Sequence, residues 1–213
     1  MLHCHENTLH ITNLSLEGRT TLAPSFFTLP HTEHADGQYR LRRYSVVTMR
    51  HGKLCPTARH EFQQSARINA FQGDVLRHFE PLEISTLQSD GFVELITLFT
   101  QAHHLPDEHE IEVHQIRIIT RFDETPVAPE GVHQDGFDHI ALVGIARHNI
   151  VGGEIMLYGD ADEAPFFRKI LEDGEVVFLA DNRLWHNAQP IRAIKRNEMG
   201  YMDVFVLTAK AAS

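Results

Sequence analysis

The chain has 213 residues, 42% hydrophobic and 23% charged, with a formal net charge of −10 when its 16 histidines are neutral. This balance is ordinary for one globular domain with a sizeable core, and a disordered chain is excluded. The negative charge argues against a nucleic-acid partner, because phosphate binding needs a positive face.

No apolar run approaches the roughly 20 residues that a membrane span requires, so no membrane partner is expected. The start, MLHCHENTLHITN, has neither a basic leader nor an apolar h-region. Cys4 and Cys55 have no paired spacing, which argues against a disulfide framework, a zinc ribbon or a CxxC redox site. A cytoplasmic, reduced setting is expected. No repeat or linker divides the chain, so residues 1–213 are expected to form a single domain.

In chain order, residues 1–37 carry Pro24 and Pro30 and little periodicity, and are expected to be an irregular extension wrapped on the domain. QYRLRRYSVVTMR is rich in β-formers and should be extended, with its basic residues engaged in local salt bridges. Phe62 to Ala70 and Phe92 to His103 read as helical. In the second, Phe92, Leu95, Ile96 and Phe99 form one apolar face, with Asp90 as N-cap. After Pro106 five apolar segments follow, IEVHQIRIIT, HIALVGIAR, GEIMLYG, GEVVFLA and GYMDVFVLTAK, each bounded by turn residues. Strands separated by turns rather than helices suggest an antiparallel sandwich or barrel. The expected fold is α+β, mainly β: a jelly-roll core with flanking helices.

The stretch PEGVHQDGFDHIALVGI places His133 and Asp135 two apart, between Gly131 and Gly136, ahead of a strand. In extended backbone, residues i and i+2 point the same way, so imidazole and carboxylate would meet at one spot. That is the local half of a 2-His-1-carboxylate triad, which holds a non-haem iron and leaves positions open. A bare match means little: with 16 histidines and 29 acidic residues, roughly two His-x-acid pairs are expected by composition. His31/Glu33, His34/Asp36 and His78/Glu80 match too, and HADG at 34 is nearly a twin of HQDG at 133. Context separates them, because only the pair at 133 opens the β-rich half. The missing histidine is supplied by GEVVFLADNRLWHNAQPI, a strand and polar turn leading to His186. The other histidines fit less well. HCH at 3–5 lies near a terminus, His103 and His104 end a helix where polar or cationic groups suit the dipole, and HEFQQ at 60 lacks a second histidine.

With VHQIRII, PEGVHQDGFDHIALVGIARHNIVGGE and DNRLWHNAQPI…GYMDVFVLT in view, the chain resembles the iron(II)- and 2-oxoglutarate-dependent dioxygenases that include bacterial hydroxylases of free amino acids such as L-isoleucine. The resemblance runs from about DGQYRLRRYS to the C-terminus. It implies a double-stranded β-helix, Fe(II), 2-oxoglutarate and O2 as cosubstrates, and hydroxylation of a small molecule, a free L-amino acid, at an unactivated C–H bond. It makes His133, Asp135 and His186 the iron ligands, and has Gln115 and Arg117 facing the cavity as expected 2-oxoglutarate-binding residues. Arg147 and Asn149 also match. The retained Asp135 favours hydroxylation over halogenation.

Met202 departs from the pattern, since the family tends to carry arginine there, whose planar fork suits the distal carboxylate of 2-oxoglutarate. Arg196 is then the expected anchor, with Arg192 and Thr208 as further candidates. Asp138, Glu154, Arg42 and Arg43 are available for an amino acid's charged groups. The alternative is a cupin-like jelly-roll metal-binding protein, a sensor, binder or isomerase without oxygenase activity. A homodimer is left open.

Overall fold

The computed structural model describes residues 8–59, 61–66 and 73–212. Strand β1 (Leu9–Asn13) leads into helix α1 (Leu16–Leu22), whose N-cap Ser15 accepts the Gly18 N–H at 2.9 Å, and then a 3-10 helix (Ala23–Thr28). Next come β2 (Arg40–Arg50), β3 (Lys53–Pro56), the two-residue β4 (Glu61–Phe62) and β5 (Arg77–His78), and the helices α2 (Ile84–Leu87) and α3 (Asp90–Ala102). The second half is β6 (Ile111–Ile119), β7 (His139–His148), β8 (Ile150–Gly152), β9 (Ile155–Tyr158), β10 (Phe167–Lys169), β11 (Glu175–Ala180), β12 (Trp185–Ala188), β13 (Ile191–Ala193) and β14 (Tyr201–Ala209).

The large sheet is antiparallel throughout, in the order β1-β11-β7-β14-β6-β2-β3. Opposite it lie the shorter ribbons β10-β9-β12 and β13-β8. The fold is a mainly β jelly roll with flanking helices, as its pattern of short bounded apolar segments leads one to expect. All five segments after Pro106 are strands.

Side-chain alternation divides the core in two. On one face of the large sheet, Val113, Val143, Phe178, Phe205 and Leu207 pack on Phe26, Phe92, Leu95, Ile96 and Phe99 from the helices. On the other face, Ile140, Val177 and Leu179 meet Ile155, Leu157 and Leu184 inside the roll. The strand β14 shows both. Phe205 and Leu207 go to the helices, while Met202 and Val206 go to the interior clusters. Where β14 pairs with β7 the register shifts between Asp203 and Val204, leaving Ile145 of β7 as the extra residue of a bulge.

Three expectations are corrected. Within residues 8–37 the chain is more regular than its prolines suggest: β1 extends the large sheet against β11, and α1 packs on α3. Phe62 lies in β4 and residues 63–66 are not helical, so the helix expected over 62–70 is not formed there, its remaining positions lying outside the described residues. Helix α3 has the expected apolar face, but its N-cap is Ser89, whose hydroxyl accepts the Phe92 N–H at 3.2 Å, with Asp90 as first helical residue.

Candidate metal centre

His133, Asp135 and His186 come together. One nitrogen of each imidazole and a carboxylate oxygen all lie within 4.8 Å of one another, and among the described residues no other such group is found. His133 Nε2 is 3.7 Å from Asp135 Oδ1, and His186 Nε2 is 3.4 Å from Asp135 Oδ2.

Local backbone chemistry sets this arrangement. Gly131 and Gly136 both adopt left-handed backbone, at φ of 80° and 82°, so the loop curls around the spot. The Gly131 carbonyl accepts from His133 Nδ1 at 2.8 Å, which fixes the tautomer and leaves Nε2 as the free donor atom. His186 comes from β12 on the facing ribbon. Its Nδ1 lies 3.6 Å from Asp181 Oδ1, a contact too long for a hydrogen bond but close enough to orient the ring electrostatically.

Asp181 was visible in the sequence only as part of a polar turn, yet it organises the centre. Fully buried, it accepts the backbone N–H groups of Asp135 (3.0 Å), Gly136 (2.8 Å) and Phe137 (3.0 Å). Gln134, which points away from the ligands, donates to the Asp181 carbonyl at 2.7 Å and so ties the loop to the turn before His186. Gln64 donates to Asp135 Oδ1 at 3.0 Å and accepts from Arg77 at 3.3 Å. No local signal could reveal these partners, because each joins segments far apart in the chain.

Electrostatics keeps the carboxylate ionised. Burial by itself raises the Asp135 pKa. The hydrogen bond and charge of His186, the charge of His133 and the Gln64 hydrogen bond outweigh it, holding the group well below the usual carboxylate range. Burial lowers the His186 pKa, but the hydrogen bond and charge of Asp135, with Asp181 behind, raise it above the ordinary value. Two imidazoles and an ionised carboxylate on one side of a pocket are a donor set suited to a divalent transition metal with open positions.

The triad opens into a cavity of about 960 Å³, its mouth included, walled by apolar side chains such as Ile116, Leu142, Ile155, Leu171 and Val204. Arg40, Arg42, Arg77, Glu130 and Thr208 add polar groups to its lining. The Thr208 hydroxyl is buried without a hydrogen-bond partner.

Of the residues expected around 2-oxoglutarate, Thr208 lines the cavity and the others lie elsewhere. Strand β6 turns His114, Ile116 and Ile118 to the cavity, so Gln115 and Arg117 face the helices. Gln115 donates to Ser25 Oγ at 2.7 Å. Arg117 makes two 2.7 Å bonds to the buried Asp203 carboxylate, its guanidinium between the rings of Phe27 and Tyr201. Arg196 and Arg192 are exposed beside an outer groove formed by residues 120–123 and 192–199. Asp138 bonds to Asn182 and the Ala211 N–H, Glu154 pairs with Arg168, and Arg43 pairs with Glu80 and Glu83. Of the early arginines named for a substrate, only Arg42 reaches the cavity. Arg147 lies beside Met202, its Nη2 bonded to the Gly152 carbonyl at 2.7 Å, and Asn149 holds the loop at Lys195 and Glu198.

Comparison with known proteins settles the family. The model of a family described as 2OG-Fe dioxygenase matches residues 23–208. The chain belongs to this family. It is a 2-oxoglutarate-dependent dioxygenase, and the family implies Fe(II), 2-oxoglutarate and O2. That match leaves the cupin-like alternative without support.

Among solved structures, the dioxygenase is similar to a bsmA homolog from Methylobium petroleophilum PM1, at 27% identity and a TM-score of 0.77, covering 92% of this chain and 82% of the other. It shares its fold with IDO from Bacillus thuringiensis (15% identity, TM-score 0.75, 97% and 91% covered). The same holds for the Fe(II)/α-ketoglutarate-dependent dioxygenase TqaL (14%, 0.70, 96% and 83%). A search of curated proteins finds no match. Among the described residues no helix is long and apolar enough to cross a membrane.

Proposed function

We propose that this dioxygenase hydroxylates a free L-amino acid at an unactivated C–H bond, with His133, Asp135 and His186 as its iron ligands. The observation that carries the reading is the convergence of three donor atoms on the wall of a largely apolar cavity. The amino-acid substrate is supported by the likeness of the motif stretches to amino-acid hydroxylases, and by a cavity whose lining carries guanidinium groups together with the Glu130 carboxylate.

Iron(II) with 2-oxoglutarate and dioxygen supplies the oxidation, in which 2-oxoglutarate becomes succinate and carbon dioxide and one oxygen atom enters the C–H bond. The protein's part is placement. His133 and His186 offer Nε2, Asp135 offers an ionised oxygen, and Asp181 and Gln64 hold that carboxylate's position. The apolar walls exclude water from the reacting C–H bond.

The test is anaerobic titration of the protein with iron(II) and 2-oxoglutarate. Bidentate chelation gives a weak visible absorption band, and its absence in folded, iron-loaded protein overturns the reading that the iron at this site takes 2-oxoglutarate. Succinate release across a panel of free L-amino acids then identifies the substrate. A panel that never raises release above the substrate-free rate overturns the amino-acid reading alone.

A further inference from the structure

Three guanidiniums line the cavity, and they are not equivalent. Arg40 is held by Asp36 at 3.1 Å, with Glu130 at 3.8 Å. Arg77 donates to Gln64 and lies 4.8 Å from the centroid of the Phe62 ring. Arg42 is 6% exposed and stacks 5.2 Å from the Phe79 centroid, yet no carboxylate among the described residues pairs with it. Burial, reinforced by the like charges of Arg40 and Arg77, pushes its pKa down to about 9, so it stays charged at neutral pH. A buried cation with no carboxylate in contact is costly, and a fold tolerates it where a ligand can supply that contact.

Register places this cation. Arg42 lies opposite Ile116, which lies opposite Val204, and all three line the cavity. The cavity-facing residues of β14 are Met202, Val204, Val206 and Thr208, none of them charged. Positive charge on this sheet wall therefore comes from β2. Among the described residues, the charges of Asp36 and Glu130 act on Arg42, and a divalent metal at the triad would add positive charge on the same side of the pocket. A carboxylate brought by a ligand would offset it.

We infer that Arg42 receives a carboxylate of a ligand bound beside the triad, either the distal carboxylate of 2-oxoglutarate or that of the organic substrate. The inference rests on the reading of the triad as the iron site. The planar fork of arginine bonds a carboxylate bidentately, and the apolar surroundings strengthen that bond.

The test is calorimetric titration, under argon, of the full chain loaded with manganese(II). The titrants are 2-oxoglutarate and, in its presence, a panel of free L-amino acids, with wild type compared to Arg42→Gln. The expected result is a loss of roughly ten- to hundredfold in affinity for one of the two ligand classes, with the other and the metal within about twofold. Loss confined to 2-oxoglutarate makes that cosubstrate the carboxylate source, and loss confined to the amino acid makes it the substrate. Affinities unchanged for both overturn the inference, the more so if the ligand-free variant also melts lower, which would assign Arg42 to the scaffold. Should Arg42→Gln fail to fold, Arg42→Lys decides: it keeps the charge but loses the fork, and affinities equal to wild type overturn the inference. A wild-type protein that binds neither metal nor 2-oxoglutarate removes the proposed function as well, whereas wild-type binding with an indifferent variant removes only the role of Arg42.

Discussion

The backbones of His133 and His186 bond to each other in both directions, His133 N–H to the His186 carbonyl at 3.0 Å and His186 N–H to the His133 carbonyl at 2.9 Å. This isolated antiparallel bridge sets the two rings with centroids 4.3 Å apart. Two histidines distant in sequence thus form one structural unit, and Asp135, two residues on, faces the same point. The spacing of the donor atoms is set by backbone pairing rather than by side-chain choice.

Replacing any one of the three removes the donor set without touching that bridge. His133→Ala, Asp135→Ala and His186→Ala are each expected to abolish iron(II) binding and succinate release, while far-UV circular dichroism stays that of wild type. His34→Ala is the control, because HADG is the near twin of HQDG. The His34 ring packs edge-on to Phe79 and its Nε2 meets the His78 carbonyl at 3.2 Å, apart from the triad. Turnover should be unchanged, and a His34 variant without activity would show that the metal sits at the other pair.

Asp181 touches no candidate ligand atom within hydrogen-bond distance, yet three N–H groups of the loop carrying Asp135 converge on its carboxylate. Asp181→Ala leaves those donors buried and unpaired, at a cost of roughly 1–3 kcal/mol in folding stability. It also loosens Asp135, so iron(II) affinity should fall roughly ten- to hundredfold, the usual size for a partner of this kind. Urea unfolding and anaerobic metal titration measure the two effects separately. An unchanged metal affinity would show that the loop holds its shape without the clamp.

These residues show which links of the chain were legible. His133 and Asp135 could be paired from sequence because a period of two is a local property of extended backbone, and β6, β7, β9, β11 and β14 announced themselves as short apolar runs between turns. The parity of β6 could not be read the same way. Both faces of IEVHQIRII are buried, so alternation gives no sign of which set meets the cavity, and Gln115 and Arg117 came out on the helix side. The Asp181 clamp and the Gln64 bridge depend on contacts made only after folding. Helix α1 has seven residues, too few to show a period, and is held by packing on α3.

The buried Arg117–Asp203 pair belongs to the scaffold, and its variants should say so. Arg117→Ala strands the Asp203 carboxylate in an apolar layer, which costs roughly 3–5 kcal/mol. Replacing both partners with apolar groups, as in Arg117→Met with Asp203→Leu, should recover most of that loss. Affinity for 2-oxoglutarate should be unchanged in the double variant and in Arg196→Ala, whose parent side chain lies in an exposed loop. A rise in the 2-oxoglutarate KM of either would return that residue to the cavity.

His103 offers a pH dependence separate from the metal centre. It is the C-cap of α3, where a cation would suit the helix dipole, but its ring is packed against Phe99, Phe178 and the stacked His139. Burial, with the like charges of His139 and His104 behind it, pushes its pKa down to about 3. Because the unfolded histidine titrates near 6.5, the unfolded chain binds a proton that the folded chain refuses between about pH 6.5 and 3. Stability from this group is complete above that window and is lost as pH falls through it. In His103→Phe, which keeps the aromatic contacts, stability should fall with acid more gently than in wild type, by a slope of up to about one proton. Urea midpoints from pH 7.5 to 4 in the presence of a chelator measure the difference, and the chelator keeps metal release at His133 and His186 out of both curves. Parallel slopes would mean that His103 takes its proton within the folded chain.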